Sequence, residues 1–174
     1  MTRSCAFVEL DRALHDRASF SCGKPSLDFF LKSQALQHKK AGTSTTLVLP
    51  GEEKGDDNKL PIIAFFAASF TNIERSTLPE KIQKKLPHYP VPAFLIAQLA
   101  INECRAGEGY GGITLVNAIR YLCKVNESLP AVAIIVDCLD DNAQRFYEHF
   151  GFNFLCEIHG RARLFLPMKT ALAV

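Results

Sequence analysis

The sequence predicts one α/β domain, residues 1–174, built on a mixed β-sheet. Strand and helix patterns alternate through the C-terminal half, and no repeat, linker or low-complexity segment divides the chain. With 174 residues and 48% apolar composition, the chain has enough hydrophobic material for one real core.

The elements follow in order. Cys5–Leu10 reads as a first strand and Asp11–Arg17 as a short helical or irregular link. From Pro25 to about Lys40, Leu27, Phe30, Leu31 and Ala35 recur at helical spacing, with Ser21 or Ser26 as cap and Gly42 as terminator. Thr43–Leu49 and Leu60–Phe70 are neighbouring strands rich in β-branched or apolar residues, joined by an exposed polar loop at 50–59 to which no chemistry is assigned. Leu78–Leu86 reads as a short surface helix, and Ala93–Ile101 as a strand buried on both faces. Gly111–Lys124 is an amphipathic helix, Ala131–Val136 an apolar strand, and Ala143, Phe146, Tyr147 and Phe150 mark another helix. Phe152–Ile158 and Arg163–Met168 close the domain as strands.

A formal net charge of +2 leaves no overall field of the kind that marks a bulk nucleic-acid or membrane-surface binder. The first ten residues lack an apolar signal core, and no stretch approaches the ~18 apolar residues of a membrane span, so a soluble cytoplasmic protein is expected. Six cysteines, with no Cys-x-x-Cys pair and no histidine at metal-finger spacing, read as reduced thiols, and no metal is expected.

The most informative segment is Ala106-Gly-Glu-Gly-Tyr-Gly-Gly112, between a buried strand and an amphipathic helix. Glycines there allow positive φ and leave no Cβ between the backbone amides and an anion at the helix N-terminus, so phosphate is the expected guest. A plain turn is the competing reading. Gly107-x-Gly109-x-x-Gly112 also fits a dinucleotide fingerprint with Asp137 as ribose acid, but Asn102–Ala106 intervene after the strand and too little chain remains for a doubly wound sheet. No Gly-Lys-Ser/Thr follows, which excludes a P-loop.

Ala106–Gly111 resembles the acetyl-CoA motif of the GNAT acetyltransferase superfamily, Gln/Arg-x-x-Gly-x-Gly/Ala. Ala143-Gln-Arg-Phe-Tyr147-Glu-His-Phe-Gly151-Phe resembles that superfamily's Ala-x-x-Phe-Tyr-Glu-x-x-Gly-Phe helix. At the front, Phe20-x-Cys22-Gly-x-x-x-Leu27-Asp-x-Phe-Leu31 and Gly42-x-Ser44/Thr45, with Leu99-Ala-Ile101 before the glycine turn, are similar to the acetyltransferase toxins of bacterial toxin–antitoxin pairs. The matches cover most of the chain except the loop at 50–60 and the segment at 71–90. The resemblance implies a GNAT fold: a central, mostly antiparallel sheet of about six to seven strands, flanked by helices, with a splayed strand pair forming the acetyl-CoA cleft.

It further implies acetyl-CoA as cosubstrate, held by Leu99, Ala100, Ile101, Ala106, Gly107, Glu108, Gly109, Tyr110, Gly111, Gly112 and Phe146, with Tyr147 as general acid toward the CoA sulfur. Tyr147 also reads as a core aromatic beside Phe146 and Phe150, and Phe146 as simple core packing. Two departures weaken the cofactor contacts. Ala106 stands where the motif has Gln or Arg, with Arg105 as a neighbouring substitute, and Asp140 stands where many relatives carry Asn against the pantetheine arm.

No histidine or carboxylate matches a general base, which favours an acceptor that is already partly neutral: an α-amine of pKa about 7.7–8.0 rather than a lysine near 10.4. Aminoacyl-tRNA is the acceptor the toxin resemblance implies, and a small-molecule amine, a peptide N-terminus or a CoA-binding module without turnover are the alternatives. Basic residues stand at Lys24–Lys40, net +3, and Glu80–Lys85, net +2, with Arg3, Arg161 and Arg163 as further candidates; a solvated helix face is the plainer reading. A ribbon-helix-helix antitoxin and a homodimer are implied by resemblance alone.

Overall fold

A computed structural model describes residues 5–174. The strands are β1 (Val8–Glu9), β2 (His15–Asp16), β3 (Thr45–Pro50), β4 (Leu60–Ile73), β5 (Val91–Ile101), β6 (Ala133–Asp137), β7 (Asn153–Ile158) and β8 (Arg161–Pro167). The helices are α1 (Pro25–Phe29), α2 (Ala35–Ala41), α3 (Glu80–Gln83), α4 (Tyr110–Ser128), α5 (Asp141–His149) and α6 (Met168–Ala171). The strands form one eight-stranded sheet in the order β1-β3-β4-β5-β6-β8-β7, with β2 paired to β4 off this path. The pairs β1–β3, β3–β4, β6–β8 and β7–β8 are antiparallel, whereas β2–β4 and β5–β6 are parallel. The mixed, mostly antiparallel sheet expected from the sequence is therefore present, with eight strands rather than six or seven. The additional strand is β2, whose two residues are too few for any periodicity and are fixed only by their partners Leu60–Pro61, whereas the first strand expected over Cys5–Leu10 is present as β1, shortened to Val8–Glu9.

Residue contacts divide the chain into two compact units. One comprises the chain up to Ser69 together with Ala97–Ala118, and the other Phe70–Ile96 with Ile119–Val174. In the first unit, Phe20, Phe30, Leu31, Ala35, Val48 and Phe65 form the main core, and Leu49, Ala64 and Tyr110 a smaller cluster. In the second, Ile73, Val91, Ala93, Ile135, Leu155 and Phe165 form the core. Burial of such side chains contributes roughly 1.5–3 kcal/mol each relative to exposure.

The helical stretch predicted from Pro25 to Lys40 is continuous but not uniform. Five residues, Phe30–Gln34, adopt π-helical bonding between α1 and α2. This wider turn accommodates Phe30, Leu31 and Ala35 in one core, with exposures of 3%, 0% and 1%. The cap expectation fails: Lys24, not Ser21 or Ser26, occupies the N-cap, its side chain makes no capping bond, and Pro25 at the first helical position supplies the preset φ. Gly42 ends α2 in the left-handed region at φ 77°, as predicted. The link at Asp11–Arg17 holds β2, where buried His15 accepts a bond from the Asp11 amide at 2.9 Å. The remaining predicted strands and helices are present with shifted ends, and α6 is an addition. All six cysteines are free.

Candidate active-site elements

β5 delivers the chain to the glycine turn through Asn102. The Asn102 amide donates to the Ile63 carbonyl at 2.8 Å, its side-chain Nδ2 to the Ile62 carbonyl at 3.1 Å, and its Oδ1 accepts from the Cys104 amide at 3.2 Å. The next amide, Glu103, donates to the Ser21 carbonyl at 2.8 Å, tying the front motif to the same place. A 3₁₀ turn over Glu103–Arg105 follows, then Ala106 in extended conformation.

Gly107 and Gly109 stand at φ 79° and 83°, in the left-handed region where an L-residue is strained. Nothing lies within 4 Å of where a Cβ would stand at either position, so conformation rather than crowding requires glycine there. Tyr110 then opens α4, a 19-residue helix with no acidic residue in its first turn. Tyr110 is 5% exposed and packs with Leu49 and Ala64, and the buried Thr114 hydroxyl donates to its carbonyl at 2.7 Å. The N-terminal amides of a long helix, approached by two left-handed glycines and unopposed by a first-turn carboxylate, suit an anionic group such as a diphosphate.

Arg105 does not extend from this turn as a free replacement for the long side chain missing at Ala106. Its Nη2 donates to the Tyr110 hydroxyl at 2.9 Å, its Nε bonds the Glu108 carboxylate, and its guanidinium lies 5.1 Å from the Tyr110 ring centroid. Beside it opens a cleft of about 320 Å³ whose lining includes Glu52, Glu53, Pro50, Pro61 and Arg105. Two carboxylates on that wall make it a poor seat for a diphosphate compared with the amides of the turn. The loop at 50–59, to which the sequence assigns no chemistry, supplies part of that wall, and Asn102 is not among the predicted site residues, although an Asn directly after a strand and two residues before an amide it can bond is a known local signal.

Of the residues before the turn, Ala100 belongs to the main core of its unit, and Ile101 packs on the smaller cluster. Their side chains are ordinary core groups. The parallel ladder of β5 with β6 comprises Phe94↔Ile134, Leu95↔Ile135 and Ile96↔Val136, and β5 itself continues to Ile101.

In the other unit, Asp140 caps α5 by accepting from the Ala143 amide at 2.8 Å. Tyr147, 8% exposed, sits with its ring centroid 5.2 Å from that of Phe146 and 5.6 Å from that of Phe152. Burial, and secondarily the neighbouring Cys138, push the phenol well above its ordinary pKa, so it holds its proton across the whole physiological range. The ring is a core aromatic. Phe146 is half-buried between Tyr147 and Phe150.

Asp137, the ribose acid of the dinucleotide alternative, is taken by Arg163 through two bonds of 2.6 and 2.8 Å. Arg161 lies 3.5 Å from Asp141, and Lys39 lies 3.0 Å from Glu9. These pairings reduce the free positive charge counted from sequence, and Arg3 lies outside the described residues. Among the described residues no group of three or more His, Cys, Asp or Glu side chains is placed to hold a metal, and no helix is long and apolar enough to cross a membrane.

No family model matches the chain. A "tRNA-acetylating toxin" of Mycobacterium tuberculosis is 31% identical over 137 residues, covering 79% of this chain and 78% of that protein. The chain belongs to the GNAT acetyltransferase toxins. The structure of the GNAT toxin AtaT complexed with acetyl-methionyl-tRNAfMet is similar at a TM-score of 0.84 and 22% identity, covering 97% of both chains. A mutant AtaT bound to the C-terminus of the antitoxin AtaR and acetyl-CoA is similar at a TM-score of 0.79 and 18% identity, covering 97% of this chain and 96% of that one. At these identities the structures establish the shared GNAT fold.

Proposed function

We propose that this chain is an acetyl-CoA-dependent N-acetyltransferase that modifies the α-amine of aminoacyl-tRNA and thereby blocks translation, as one catalytic domain over residues 1–174. The observation that carries the reading is the glycine turn: two residues in the left-handed region leading into the N-terminus of α4. The relative named as a tRNA-acetylating toxin supports the acceptor.

In this reading the amides of Gly107, Glu108, Gly109, Tyr110, Gly111 and Gly112 hold the diphosphate of acetyl-CoA, with Ala106 contributing backbone only. Bound acetyl-CoA supplies the thioester acetyl group. The backbone of Leu99, Ala100 and Ile101 aligns the pantetheine arm and polarises the carbonyl, and Phe146 walls the channel. As the acceptor nitrogen forms its amide bond and the carbon–sulfur bond breaks, Tyr147 would pass its hydroxyl proton to the departing sulfur, while the proton lost by the nitrogen goes to water, from which the phenol is restored. Burial makes this phenol a weaker acid than an ordinary tyrosine while it bears its proton at physiological pH. No residue of the turn or of α5 is matched to deprotonation of the amine, which fits an α-amine that is about a tenth neutral at pH 7.

The protein acts in the cytoplasm, works as a homodimer, and is neutralised by a ribbon-helix-helix antitoxin. The deciding experiment incubates purified protein with labelled acetyl-CoA and a mixture of charged tRNAs, polyamines and peptide N-termini. Label on the aminoacyl moiety is expected; unlabelled charged tRNA beside labelled polyamine or peptide would remove the tRNA acceptor.

A further inference from the structure

Arg105 stands immediately before the glycine turn, and its guanidinium reaches across it to both Glu108 and Tyr110. One anchor of this bridge is rigid. Tyr110 is buried, its ring packs in the cluster with Leu49 and Ala64, and its backbone carbonyl is bonded by Thr114. The other side of the turn is fixed at Asn102 and Glu103 by bonds to Ile62, Ile63 and Ser21. Between these two fixed points lie Ala106–Gly109, containing both left-handed glycines and therefore the most permissive backbone of the segment.

We infer that Arg105 is a positioning residue for the acyl donor: bonded to Glu108 and Tyr110, it holds the glycine turn in its anion-binding shape before the diphosphate arrives. It serves through the backbone the end that a long side chain at position 106 would serve by direct contact. Glycine loses more conformational freedom on ordering than any other residue, and a turn ordered in advance does not lose it on binding. Lysine is no substitute, because a single ammonium lacks the fork that engages a carboxylate and a phenol together and the planar face that lies over the ring. The inference rests on the turn being the diphosphate cradle.

The rival role for Arg105 is a guanidinium that leaves its partners to bond the diphosphate. Tyr110→Phe separates the two without changing charge: it deletes the phenol acceptor of Arg105 and leaves the Glu108 bond and the buried ring. The experiment is a double-mutant cycle of Tyr110→Phe and Arg105→Lys in the full chain. It reads CoA affinity by calorimetry, steady-state acetyl-CoA KM and kcat, and hydrogen exchange of the amides at 107–113 in the ligand-free protein. For the positioning role each single change weakens CoA binding and raises KM by about fivefold or more, as loss of a charge-assisted hydrogen bond implies, with kcat lowered less than about twofold. The double variant is no worse than the weaker single, and the turn amides exchange faster in all three at unchanged Tm.

Full CoA affinity in Tyr110→Phe, or a double variant equal to the product of the singles, overturns the inference. Failure of the cofactor reading itself looks different: wild-type protein then takes up no CoA, whatever the variants do.

Discussion

Replacing Gly109 with alanine introduces backbone strain with no clash inside the protein. The residue sits at φ 83°, and no heavy atom lies within 4 Å of the position a Cβ would occupy, so the substitution introduces no clash. What remains is the cost of an L-residue in the left-handed region, about 1–2 kcal/mol. That cost has two outlets. If the free protein keeps the turn in shape, the whole amount appears as lost stability; if the free turn relaxes instead, the strain returns on binding and acetyl-CoA affinity falls about 5- to 30-fold. The sum of the two losses, from denaturant midpoints and from CoA calorimetry on the same preparation, is therefore expected at about 1–2 kcal/mol. Gly109→Asn should lose less, because asparagine tolerates the left-handed region better than alanine. A summed loss below about 0.5 kcal/mol for alanine, or an asparagine variant that is worse than alanine, would refute the argument that φ is what requires glycine here.

Other outcomes follow from the same structure. Tyr147→Phe should lower turnover about a hundredfold or more while leaving CoA affinity and Tm nearly unchanged, because only the hydroxyl leaves a ring packed by Phe146 and Phe152; unchanged turnover would take Tyr147 out of the reaction. Since the phenol is held above its ordinary pKa, kcat/KM should rise with pH as the acceptor α-amine deprotonates near about 7.7–8.0 and show no alkaline decline up to about pH 10; a fall between those values would contradict the buried acid. Burial holds the His15 pKa below its ordinary 6.5, so its contribution to stability is present above that value and is lost as pH falls through the lowered pKa. Tm should accordingly drop on acidification below about pH 6.5, and drop less in His15→Gln; identical pH profiles would exclude the histidine as the source. Asp140→Asn should keep the cap on α5, whereas Asp140→Ala should lose about 1 kcal/mol by chemical denaturation. Equal stability of the two variants would mean that the cap contributes nothing.

Where sequence reasoning reached the site, it did so through local constraints. Glycines at 107 and 109, a strand before them and an amphipathic pattern after them describe a turn at a helix N-terminus without reference to any distant residue. The Tyr147 block is likewise local, since Ala143, Phe146, Tyr147 and Phe150 share one helix. Arg105 shows the limit of that reasoning. Sequence offers a cation next to a phosphate motif, and only the folded turn directs its guanidinium toward Glu108 and Tyr110.

The sequence by itself determined the α/β class, the left-handed glycines and the helix that follows them, because backbone permissiveness and apolar periodicity are properties of neighbouring residues. Tertiary structure alone decided that Asp137 is held by Arg163, 26 residues away, that Ser21 is bonded to the amide of Glu103, and that a two-residue strand exists at β2. Those features depend on strand register and on which segments meet across the sheet, and a one-residue slip would exchange every such partner while leaving the local pattern intact.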